Sequence, residues 1–302
     1  MDQHPVKTIS DLLPRLEKLL DHLESFLGKF ANQYFTASED FCSTSIAFRW
    51  RKRGTQGFLE PIIHPDLVKL EDLIGLELEL EKINRNTKQF VAGMPANNVL
   101  IWGERGTGKS SVIKGLLHRF SNKGLRMIEV RKQDLLDLPE IINLIWERPE
   151  RFILYCDDLS FFDNDPLYLE LKALLEGNLS ARPNNVLVYA TSNRRHLMPE
   201  KLSNNNPRFS PDDDEIHPQE TAEEKVSLSD RFGLSIGFYR ITQDTFFRIV
   251  QHLVNQRGIN ITQEKLKREA LRWIQNSSGR SGRVAKQFVD DLEGQYKLEE
   301  LG

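Results

Sequence analysis

Gly103-Glu104-Arg105-Gly106-Thr107-Gly108-Lys109-Ser110 lies between a short apolar run, Asn98-Val99-Leu100-Ile101-Trp102, and a segment of helical periodicity at 110–121. The octapeptide satisfies G-x-x-x-x-G-K-[ST], and strand-loop-helix is the context in which that pattern binds phosphate. Glycines let backbone N–H groups curl around an anion, and the following helix turns its positive end toward it. The spacing assigns Lys109 to the outer phosphates and the Ser110 hydroxyl to a divalent cation, with Glu104, Arg105, Thr107 and Ser111 completing the cradle.

Downstream, short apolar runs alternate with helical patterns. Strands are predicted at 126–130, 152–156 and 186–191 besides 98–102, and helices at 70–92, 110–121, 139–147 and 166–180. Such alternation implies a parallel sheet covered on both faces, an α/β architecture. Phe152-Ile153-Leu154-Tyr155-Cys156-Asp157-Asp158 is a buried strand delivering two acids to the carboxyl edge of that sheet, beside the loop. Asp157 is placed to hold Mg²⁺ and Asp158 to orient or deprotonate an attacking water. Val186-Leu187-Val188-Tyr189-Ala190-Thr191-Ser192-Asn193 ends in an amide, Asn193, suited to positioning that water.

After Phe238 the strand signal ceases, and helical segments at 243–257, 263–276 and 283–297 read as a second, helical domain. Leu228-Ser229-Asp230-Arg231-Phe232-Gly233 precedes it, and Ser281-Gly282-Arg283 opens its last helix. Residues 203–228 form a polar, acidic loop. At the other end, leucines at helical spacing over 9–27 form an amphipathic helix that packs on its own domain or docks a partner. Residues 30–65 read as irregular. They include Phe48-Arg49-Trp50-Arg51-Lys52-Arg53, whose bases and aromatics fit either a solvated element or a grip on single-stranded nucleic acid.

Composition narrows the classes. In 302 residues, 41 Lys+Arg against 44 Asp+Glu leave a net charge of −3, so nucleic-acid binding is a local property at most. With 39% hydrophobic residues the chain can build a core, and no apolar run reaches the length of a membrane span. Cys42 and Cys156 are too few for a disulfide framework or a zinc site. A cytoplasmic protein with no membrane partner is the expectation.

Taken in order, these segments resemble an AAA+ ATPase: Walker A at 103–110, Walker B at 152–158, sensor 1 at Asn193, an arginine-finger segment around Arg231, and sensor 2 at Arg283. The longer segments Pro95-Ala96-Asn97-Asn98-Val99-Leu100, Asp157-Asp158-Leu159-Ser160-Phe161, Glu215-Ile216-His217-Pro218 and Leu228-Ser229-Asp230-Arg231-Phe232-Gly233-Leu234 are similar to a mainly bacterial group of predicted AAA+ ATPases catalogued as a domain of unknown function. The resemblance implies an N-terminal extension (1–64), an αβα nucleotide-binding domain (65–237) and a helical lid (238–302). It implies ATP and Mg²⁺ as cofactors, with Ile74 and Gly75 lining the adenine pocket and Gly103, Gly106 and Gly108 in the phosphate loop. It also implies a homo-oligomer in which Arg231 acts in trans, while Arg283 couples nucleotide state to lid angle.

One departure bears on rate. Walker B ends in Asp-Asp where most AAA+ motors have Asp-Glu, and Asp158 is one methylene shorter than Glu. In-line geometry is sensitive at the ångström scale, so slow turnover is expected. Two functions are consistent with this pattern. One is a slow ATPase that couples nucleotide state to assembly and to remodelling or loading of a protein client. The other is a nucleotide-dependent binding module, for protein or DNA, in which hydrolysis is incidental.

Overall fold

Period-two alternation of large apolar residues builds the core layer. In the computed structural model, which describes residues 18–20, 42, 45–162, 165–176, 183–195, 197, 228–277 and 279–301, these residues form strands β1 (Ala47–Arg53), β2 (Gln56–Pro61), β3 (Val99–Gly103), β4 (Leu125–Glu129), β5 (Arg151–Cys156), β6 (Val186–Ser192) and β7 (Leu234–Phe238). They join in one sheet of order β2-β1-β4-β5-β6-β3-β7. β1 and β2 pair antiparallel, and every other neighbouring pair is parallel.

Helices α1 (Glu77–Val91) and α2 (Lys109–Phe120) belong to one side of the sheet, α3 (Leu138–Ile145) and α4 (Pro166–Glu176) to the other. Ile101, Ile153, Tyr155, Leu187 and Tyr189 pack toward the first pair, and Leu100, Leu154, Cys156, Val188 and Ala190 toward the second. Burial on both faces is why the inner strands read as continuous apolar runs. Because they are parallel, the carboxyl ends of β3, β5 and β6 share one edge, and that edge carries the glycine loop, the paired acids and Asn193.

Helices α5 (Gln243–Gln256), α6 (Gln263–Gln275) and α7 (Gly282–Leu301) close a separate core around Phe246, Val250, Leu266, Ala270, Phe288 and Val289. Thr242 and Thr262 cap the first two, their side chains accepting from the N–H of Thr245 and Lys265. This matches the helical unit expected after Phe238.

Three expectations need correction. Residues 47–61 are a hairpin of the main sheet rather than part of an irregular extension, so the boundary at 64 cuts through one structural unit. Phe48 and Trp50 are buried in its core. Arg49 pairs with Glu129 at 2.8 Å, Arg51 with Glu60 at 3.0 Å and Lys52 with Asp137 at 2.5 Å. The aromatics serve the core and these three bases lie paired at the surface, which is the solvated-element reading of the segment. The single helix expected at 70–92 is a 3-10 turn at Leu70–Asp72 followed by α1, because Gly75 turns the chain at φ +83°. β7 was not foreseen as a strand. Most of the 9–27 helix and the 203–227 part of the acidic loop lie outside the described residues, as does the 177–180 end of the predicted fourth helix.

Asp137 organises the hairpin. Its carboxylate accepts from Trp50 Nε1 at 2.9 Å as well as pairing with Lys52. The indole in turn lies where a Cβ on Gly57 would stand, 1.9 Å from its ring, so only glycine fits the facing strand. Asp137→Ala leaves a buried indole N–H without its acceptor and should cost about 2–3 kcal/mol. Urea unfolding should show a lower midpoint at unchanged slope.

Candidate functional site

The loop between β3 and α2 depends on backbone conformations that side chains disfavour. Gly106 and Gly108 sit at φ +79° and +101°. A Cβ on Gly106 would stand 2.9 Å from Ser281, and one on Gly103 would stand 1.9 Å from the Phe238 carbonyl oxygen. The glycine spacing is thus required both by the curl of the loop and by what is packed against it.

Lys109, the first residue of α2, is buried at 8% exposure and donates from Nζ to three oxygens: Gly103 O and Glu104 O at 2.7 Å and Asn193 Oδ1 at 3.1 Å. Burial lowers its pKa, while Asp158 and Asp157 act in the opposite sense. Ser110 Oγ donates to Asp157 Oδ1 at 3.0 Å. The Thr191 hydroxyl donates to the same carboxylate oxygen, and the Asp158 N–H reaches it at 3.2 Å. Burial works against the charge on Asp157, but the Thr191, Tyr155 and Ser110 hydroxyls beside it hold its carboxyl below the ordinary carboxylate value. A hydroxyl and an ionised carboxylate side by side form the oxygen donor pair that suits Mg²⁺.

Asp158 lies at φ +50°, the one non-glycine residue in the left-handed region among the described residues. Its N–H donates to Thr191 Oγ1 at 3.0 Å, which fixes the turn. Its side chain accepts from Asn193 Nδ2 and faces Arg105 at 3.8 Å. The acid at the strand end is thus held at its backbone, while its carboxylate, largely exposed, has Asn193 and Arg105 as neighbours. Cys156, directly before the pair, is a buried free thiol whose pKa burial pushes up to about 12, which leaves it a packing residue.

The helical unit contacts the loop directly. Gly282 N donates to Gly106 O at 3.0 Å, and Ser281 Oγ accepts from Val284 N at 3.2 Å to start α7. Arg283, exposed on that first turn, stands with its Cβ 3.7 Å from where a Cβ on Gly106 would be. Ile74 and Gly75 lie between the two units: a Cβ on Gly75 would stand 2.4 Å from Thr245 Cγ2, and Leu76 packs on Gly108. Ser111 follows on α2, partly buried. Arg231 sits half-buried in the turn before β7, its backbone N–H donating to Leu228 O at 3.3 Å.

Two contributors carried no assigned role in the sequence. Thr191 bridges Asp157 and the Asp158 N–H, and its signal was period two: it shares a strand face with Asn193. Arg240, just before α5, forms an ion pair with Glu104 across 136 residues of chain, and nothing local marks it. Among the described residues no helix is long and apolar enough to cross a membrane.

The family described as "Protein of unknown function (DUF815)" matches residues 43–296, a span that takes in the β1–β2 hairpin and the helical unit. Among solved structures, the RuvB Holliday junction branch migration motor of Thermotoga maritima is similar at 14% identity and a TM-score of 0.44, over 74% of this chain and 72% of that chain. A single-residue variant of that motor is similar over the same shares of the two chains at 12% identity and a TM-score of 0.45. No curated protein sequence matches the chain.

Proposed function

This chain belongs to the DUF815 family, and we propose that it is a slow, Mg²⁺-dependent AAA+ ATPase of the cytoplasm that couples nucleotide state to self-assembly and to remodelling or loading of a protein client. One observation carries the reading: Lys109, Ser110, Asp157, Asp158 and Asn193 come from three strand ends and meet in a single bonded cluster over a glycine loop. A structural lysine does not require four further polar residues at the same sheet edge.

Each residue has a part in hydrolysis. Lys109 brings a fixed positive charge to the outer phosphates, where charge develops in phosphoryl transfer. Ser110 and Asp157 are the residues that would hold Mg²⁺, which supplies charge neutralisation on the phosphate oxygens. Asp158 takes the proton of the attacking water, and Asn193 orients that water. For this to happen the Asn193 and Arg105 contacts to Asp158 must loosen, and that requirement supports slow basal turnover. Arg283 approaches from the helical unit, and the Gly282–Gly106 bond and Glu104–Arg240 pair link loop to lid. Arg231 completes the site of a neighbouring subunit.

The test is Mg²⁺-dependent ATP turnover per protomer over a wide range of protein concentration. The expected result is a specific rate that is near zero when dilute, climbs with concentration and saturates, because supply of an arginine across an interface is worth about 10³–10⁵ in rate. The restrained Asp158 favours a second reading, a nucleotide-dependent binding module. Its signature is ATP bound with turnover flat and near zero at every concentration.

A further inference from the structure

Two buried tyrosines stand side by side in the sheet, Tyr155 on β5 paired in register with Tyr189 on β6, and both face α1 and α2. Their hydroxyls meet different fates. Tyr189 Oη is within 3.0 Å of Asn86 Nδ2 and 2.9 Å of Thr87 Oγ1, so it is fully used in tying α1 to the sheet. The Tyr155 hydroxyl is buried close enough to Ser110, Asp157 and Thr191 to act on each of them, yet none of these contacts reaches the geometry of a full hydrogen bond. A buried hydroxyl without a well-formed hydrogen bond is costly, and native interiors rarely keep one. Phenylalanine would fill the same space without that cost.

Asp157 shows what the hydroxyl is for. Its Oδ1 accepts from Ser110, Thr191 and the Asp158 N–H at once. A divalent cation at this place draws on Ser110 and Asp157 together and redistributes those three bonds. Tyr155 is the donor standing ready beside the carboxylate when that happens. We infer that Tyr155 is a positioning residue for the divalent cation, its hydroxyl donating to Asp157 once the cation is bound and fixing the carboxylate that ligates it. The inference rests on the reading of Ser110 and Asp157 as the Mg²⁺ pair.

Three full-length proteins decide it: wild type, Tyr155→Phe and Tyr189→Phe. ATP affinity is measured by calorimetry in the presence of a chelator, Mg²⁺ is then titrated into the protein–ATP complex, and thermal midpoints are recorded without ligand. The expected Tyr155→Phe protein binds metal-free ATP as wild type does, needs about tenfold more Mg²⁺ for half saturation, and melts no lower than wild type. Tyr189→Phe is expected to do the reverse, with a lower melting midpoint and wild-type Mg²⁺ dependence. An unchanged Mg²⁺ requirement in Tyr155→Phe overturns the inference. So does a fall in its melting midpoint as large as that of Tyr189→Phe, which would mark Tyr155 as an ordinary structural hydroxyl. Failure of the wild type to bind ATP or Mg²⁺ overturns the ATPase reading itself and is distinguishable from both.

Discussion

Lys109→Ala is expected to abolish ATP turnover, by at least about 10³-fold, and to weaken ATP binding with it. The ammonium is buried and spends three hydrogen bonds on Gly103 O, Glu104 O and Asn193 Oδ1. Its loss removes the positive charge from the loop and also the donor that gathers those oxygens. Phosphate release measures the rate and calorimetry the affinity. The fold should survive, because the apolar layers on the two faces of the sheet do not include this side chain. A variant that keeps a tenth of wild-type turnover would show that the loop does not host the reaction.

Arg231→Ala is expected to lose turnover by about 10³-fold or more while binding ATP within about threefold of wild type. The asymmetry follows from placement. The arginine stands in the turn before β7, and its proposed work is at the next subunit's phosphates. Mixing distinguishes this from any role within one subunit. Lys109→Ala protein still carries Arg231, and Arg231→Ala protein still carries an intact loop, so combining the two inactive variants should restore measurable turnover. A mixture that stays inactive, with assembly demonstrated by light scattering, would refute action in trans.

Legibility followed the range of the interactions. The strand-loop-helix around Lys109 and the strand ending in Asp157-Asp158 were readable because each is a run of adjacent residues whose chemistry needs that spacing. The helical unit was readable for the same reason: Phe246, Val250 and Val254 repeat at one helix face. The hairpin was not, although Phe48 and Trp50 alternate with Arg49 and Arg51. Its bases fit a solvated element as well as a binding surface, their partners Glu129, Glu60 and Asp137 are set by the fold, and Gly57 and Pro61 weaken the strand signal of β2. The break at Gly75 was lost inside a longer helical periodicity.

The amino-acid order by itself determined the α/β class, the glycine loop between a strand and a helix, the strand ending in paired acids, and the helical unit behind them, because backbone conformation and side-chain period are local properties. Tertiary structure alone decided that Thr191 ties Asp157 to the turn at Asp158, that the Tyr155 hydroxyl stands beside that carboxylate without a full hydrogen bond, and that Arg240 reaches Glu104. Those relations come from strand register and from the packing of the helical unit against the loop. Hydrogen bonds and ion pairs between residues far apart in sequence leave no periodic trace in it, so only the packed chain can bring them to view.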